Sequence, residues 1–171
     1  CFNVPCYWTI LLRAREYAEK KGCQLSWCVA RDVPLCHHDR DLNEEQLHTK
    51  QCMWLGRHDQ DTAHLTSLLH RVQGLPLRLT ETMNRQLRLY RGRRCRLLGW
   101  APHPEDVRTE VNGEWMSNKL PLCLYLQFPG ATWKLHDDLA VGVYPLAPAS
   151  RTWKFNKNTG VQARRTGYFV I

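Results

Sequence analysis

Nothing in this 171-residue sequence approaches the roughly 18 consecutive apolar residues that a membrane span requires, so no membrane-crossing helix is expected. The sequence also lacks a G-x-x-x-x-G-K-[ST] phosphate loop, a G-x-G-x-x-G dinucleotide turn and a G-x-S-x-G nucleophile elbow. A self-sufficient ATP, dinucleotide or acyl-transfer site is therefore not expected within it. No charged-then-apolar leader ends in small residues, which argues against secretion and for an intracellular setting, nuclear or organellar. The first residue is Cys1, and the last four, Tyr168-Phe169-Val170-Ile171, read as the middle of a strand. We therefore expect an internal piece of a longer protein. Internal repeats and low-complexity tracts are missing too.

Acid is scarce where base is abundant. Residues 1–75 hold 9 Lys/Arg and 9 Asp/Glu, whereas residues 76–171 hold 15 and 7, so the whole net charge of +8 sits in the second part. Within residues 78–96 seven arginines (78, 85, 88, 91, 93, 94 and 96) face Glu81 alone, a net of +6 in 19 residues. Such a stripe concentrates polyanions, and arginine suits bidentate contact with phosphate better than lysine does. A solvated basic face is the bland alternative.

Eight cysteines admit disulfide or metal readings. Without a secretory leader, disulfides have little support. A zinc site would draw on Cys23, Cys28, Cys36, His37, His38, His48 and Cys52. Only His48 and Cys52, four apart, would share a helix face, and no tight second pair completes the set. Free and mostly buried thiols fit the spacing better. His58-Asp59 and His136-Asp137-Asp138 set acid beside histidine with no nucleophile to serve, so catalysis is not expected from them.

Apolar positions at spacings of three and four predict a helix over 7–21 that stops at Gly22. Alternation of Leu25, Trp27 and Val29 predicts a strand over 24–30, and Asp41 with Glu44 caps a second helix over 42–55 that stops at Gly56. From Leu68 onward, short apolar stretches at 77–80, 95–100, 120–128, 142–146, 152–155 and 162–171 alternate with turn signals. Asn112-Gly113 and Asn158-Thr159-Gly160 are the best hairpin candidates among them. The fold class is thus α+β: a helical first third (1–67), then a basic small antiparallel β-barrel or sandwich (68–171). Trp100, Trp115, Tyr125, Trp133, Tyr144 and Trp153 interleave with the arginines; most belong to the core, and the rest would stack on bases.

The segment 69–97 resembles a known pattern. Leu69-His-Arg-Val-Gln-Gly74-Leu-Pro-Leu77-Arg-Leu79, then Asn84, then Leu89-Tyr-Arg-Gly92-Arg-Arg-Cys95-Arg-Leu97 is similar to superfamily-one 5′→3′ DNA helicases of the petite-integration-frequency and RecD-like type. There, two strands and an N-G-x-x-G turn open an SH3-like barrel inserted in the second motor domain. Leu120-Pro121-Leu122, Tyr144-Pro145-Leu146, Trp153 and Arg164-Arg165 fall where such helicases have further barrel strands and the return to the motor core. Two departures stand out: Arg91 occupies the asparagine position and Cys95 that of the second glycine.

The resemblance implies a parent that binds ATP and Mg, with its phosphate loop upstream of this piece, and moves 5′→3′ on single-stranded DNA. Here it implies nucleic-acid contacts from Arg88, Arg91, Gly92, Arg93, Arg94 and Arg96, with no ATP chemistry. The rival expectations are a stand-alone nucleic-acid-binding barrel, a zinc-stabilised interaction domain and a transposon relic.

Overall fold

The computed structural model describes residues 4–35, 43–154 and 162–171. Helix α1 (Val4–Lys21) buries Ala14 and Ala18 against strand β3 (Leu68–Arg71), with Leu11 and Tyr17 packed beside them. It ends as expected at Gly22, whose φ of 61° lets Gly22 N–H reach Glu19 O at 3.1 Å and Cys23 N–H reach Ala18 O at 3.0 Å. Helix α2 (Glu44–Leu55) starts later than expected. Its cap is Asn43, with Asn43 Oδ1 accepting from Gln46 N–H at 2.9 Å and Gln46 Oε1 accepting from Asn43 N–H at 3.3 Å. That pair satisfies the free N–H groups of the first turn, the role expected of Asp41 and Glu44; Asp41 lies outside the described residues.

Three sheets follow. In the first, β3 pairs antiparallel with β1 (Ser26–Val29), β1 pairs in parallel with β7 (Glu114–Ser117), and β7 pairs with β6 (Arg108–Val111). The second has the order β10 (Ala149–Lys154), β11 (Gln162–Gly167), β2 (Arg31–Pro34). The third runs β4 (Pro76–Arg78), β5 (Arg94–Ala101), β8 (Cys123–Gln127), β9 (Val143–Leu146). Between β1 and β2, Ala30 N–H bonds Ser67 O at 2.8 Å as the extended chain passes from one sheet to the next.

Mixed α/β describes this better than a helical part followed by a barrel. The first third contributes β1 and β2 as well as its helices. Among the described residues no sheet closes on itself, because the hairpin β6–β7 leaves the later strands and joins β1. That hairpin turns at Asn112 and Gly113 (φ 53° and 80°), the two-residue turn expected there. The second hairpin signal, at 158–160, lies outside the described residues.

The main core unites α1 with the first and third sheets through Leu25, Leu69, Leu77, Leu97, Leu124 and Leu126. Cys28 and Cys95 lie in it, and burial pushes their thiols up to about 11 and about 12. Arg71 is also enclosed, donating from Nη2 to Ser117 Oγ with its guanidinium 5.0 Å from the Trp100 ring centre. A smaller core joins Trp54, Trp153 and Ala163, the two indoles meeting edge-on at 6.1 Å. Residues 169–171 run along the free side of β4, exchanging Arg78 N–H to Ile171 O (2.8 Å) and Ile171 N–H to Arg78 O (2.9 Å). No helix among the described residues is long and apolar enough to cross a membrane.

Candidate nucleic-acid interface

Period-two alternation builds the basic surface. β4 and β5 pair with Pro76 opposite Arg96, Leu77 opposite Cys95 and Arg78 opposite Arg94. Leu77, Cys95 and Leu97 face the core, so Arg78, Arg94 and Arg96 must face solvent, as they do. The arginine row is thus a direct consequence of burying its neighbours.

Residues 79–93 prolong this pair into a hairpin. Leu79 N–H bonds Arg93 O at 3.0 Å, and Gly92 N–H bonds Leu79 O at 2.7 Å. Further out, Leu89 N–H bonds Asn84 O at 2.7 Å while Met83 N–H bonds Leu89 O at 2.8 Å. Leu89 is fully buried and anchors the excursion, and the tip closes through Arg88 N–H to Arg85 O at 3.1 Å. Gly92 has φ 83° with open space where a Cβ would stand, so its requirement is conformational and not steric. Arg88 takes the same left-handed region at φ 56°.

The predicted arginines divide by environment. Arg88, Arg91, Arg94 and Arg96 are exposed, as are Arg78 and Arg85. None of these six makes an ion pair among the described residues. Arg93 is half-buried instead: its Nη1 donates to Leu87 O (3.1 Å) and Arg88 O (2.6 Å), and its guanidinium lies 5.2 Å from the Phe128 ring centre. It ties the hairpin tip to the end of β8.

Most of the interleaved aromatics serve the core. Trp153 is buried, and Trp100, Trp133 and Tyr144 pack against the main cluster. The exposed ring among the arginines is Tyr90, 48% accessible, its hydroxyl 3.4 Å from Arg85 O. The signal for it was local: Leu89 turns inward, so the next residue points out.

The cysteine and histidine candidates are not brought together. Cys28 is buried in the core, Cys23 is exposed beyond α1, and the exposed pair Cys52 Sγ and His48 Nε2 lies 3.6 Å apart on α2. Cys36, His37 and His38 lie outside the described residues, and among those described no three metal-binding side chains converge. His136 and Asp138 meet at 3.1 Å on an exposed turn.

The chain matches no known protein family and no curated protein. It is similar to a solved structure, the crystal structure of Pif1 helicase from Candida albicans, with a TM-score of 0.53 and 10% identity. The match covers 96% of this chain and 32% of that one, so the chain spans about a third of the helicase's length. Identity this low shows a shared fold alone.

Proposed function

We propose that this chain is a nucleic-acid-contacting portion of a helicase-type protein. It would comprise part of a second motor domain (residues 1–67) and an SH3-like insertion region with the start of the return to the motor core (68–171), with single-stranded DNA as the partner. The observation that carries the reading is the β4–β5 hairpin, with six exposed arginines that make no ion pair among the described residues around one exposed tyrosine, on a fold shared with part of a helicase. Arg88, Arg91, Arg94 and Arg96 hold phosphates, Gly92 gives the turn its shape, and Arg93 positions the tip. ATP and Mg would belong to the parent protein, because this sequence has no phosphate loop to hold them.

The test is binding of the full chain to a labelled oligothymidylate across a salt series. Replacing Arg88, Arg91, Arg94 and Arg96 with Gln should weaken binding. It should also make the slope of log K against log salt shallower by about 2.8, at about 0.7 for each single-strand phosphate that is no longer neutralised. An unchanged slope would remove the hairpin from the nucleic-acid path.

A further inference from the structure

A groove of 730 Å³ lies between α1 and the β4–β5 pair. One wall is the helix face bearing Arg13, Tyr17 and Lys20, and the other carries Arg78 and Arg94. The accessible apolar lining between them comes from Ile10, Pro76 and Ile171, with Leu75 and Leu77 buried beneath. Resting on the nucleic-acid reading above, we propose that this groove is the onward track for a single strand leaving the hairpin. Its phosphates lie on Arg13, Lys20, Arg78 and Arg94, and its base faces on the apolar lining.

Four observations support the assignment. First, the charges are one-sided: four cations line the groove against Glu16 alone, and none of the four makes an ion pair among the described residues. Second, Arg78 stands directly opposite Arg94 across the strand pair. Like charges so placed repel each other, and an anion between them removes the repulsion. Third, Arg13 and Lys20 are seven residues apart, so they share a helix face at about 10 Å separation and can hold separate phosphates of one strand. Fourth, Arg94 belongs both to the hairpin's outer row and to the groove wall, so the basic surface is continuous from Arg96 into the groove.

The occupant's chemistry follows from what the groove withholds. β4 is paired on one side with β5 and on the other with residues 169–171, so no free strand edge is offered to a peptide. Unpaired bases need no such edge; they need an apolar lining under a basic rim. A duplex turns its base faces inward and cannot use that lining. Tyr17 packs over Gly74 on the helix wall, where a Cβ on that residue would stand 2.7 Å from its hydroxyl oxygen.

The experiment uses the full chain, oligothymidylates of graded length and the variant Arg13→Gln/Lys20→Gln, whose substitutions lie on the exposed helix face and are checked for folding by circular dichroism. Wild-type affinity should climb with length until the groove is filled. The variant should reach its plateau at a shorter oligomer and show a salt slope shallower by about 1.4, as two phosphates go unneutralised. If the variant keeps the wild-type length dependence and slope while the hairpin variant loses affinity, the groove proposal falls and the hairpin reading stands. If an acidic, leucine-containing peptide binds through Arg13 and Lys20 while oligomer binding ignores them, the groove serves a protein partner and the proposal is equally overturned. Failure of the wild-type chain to bind any oligomer would remove both readings together.

Discussion

Asp32 on β2 and Arg165 on β11 meet as a fully enclosed bidentate pair, Nε to Oδ1 at 2.9 Å and Nη2 to Oδ2 at 2.7 Å. The guanidinium also donates from Nη1 to Ser67 Oγ at 2.6 Å and from Nη2 to Trp54 O at 2.8 Å. One side chain therefore joins the second sheet to α2 and to the segment that leads into β3. Its neighbour Arg164 points to solvent, so the two adjacent arginines do opposite work.

Removing the carboxylate strands a buried cation. Asp32→Ala should destabilise the chain by about 3–5 kcal/mol, read as a lower urea midpoint. Replacing Asp32 and Arg165 together with apolar residues of matching volume should cost far less, because no charge is then left unpaired. Equal losses in the single and double variants would contradict the pair's role.

His70 gives the fold a pH dependence. Burial, chiefly, pushes its imidazole down to about 4; Glu114 raises it and Arg15 lowers it, both lying near the same sheet face. A folded value below the unfolded one means that its contribution is intact above about 6.5 and is lost as pH falls toward 4, by up to roughly 3 kcal/mol. Denaturation measured at pH 7 and pH 5 should show the fall, and His70→Leu should lessen it.

Gly74 combines φ 83° with the nearby Tyr17 hydroxyl. Gly74→Ala should cost more than about 1 kcal/mol, from the left-handed backbone and the clash together. Adding Tyr17→Phe should restore part of the loss by removing the oxygen. No rescue in that double variant would assign the whole effect to the backbone.

Thiol reactivity should divide along burial. At pH 8, mass-spectrometric mapping after brief alkylation should find Cys23 and Cys52 modified and Cys28 and Cys95 protected until urea unfolds the chain. Early labelling of Cys95 would mean that the β4–β5 pair opens readily.

Local rules made parts of this molecule legible in advance. The alternation of Leu77, Arg78, Arg94, Cys95, Arg96 and Leu97 is enough to put the arginines outside, and Asn112-Gly113 is enough to make a hairpin. Distant pairing was not legible. Nothing near Ser26–Val29 announces a parallel partner at Glu114–Ser117, and that pairing draws β6 and β7 away from the later strands. Arg93 reads like its neighbours until Phe128, 35 residues on, supplies the ring beneath it. Arg165 is likewise indistinguishable from Arg164 until Asp32, 133 residues away, takes its place beside it. The α2 cap moved because Asn43 and Gln46 answer the same need as Asp41 and Glu44 two residues later.

The central claim is that the β4–β5 hairpin touches a nucleic-acid strand, and photocrosslinking tests it most directly. The full chain would be irradiated with an oligothymidylate containing 4-thiothymidine, and the crosslinked peptides sequenced by mass spectrometry. The account predicts crosslinks within residues 85–96, with Tyr90 foremost as the exposed ring among the arginines. Crosslinks confined to other surfaces, with residues 85–96 unmodified, would contradict it.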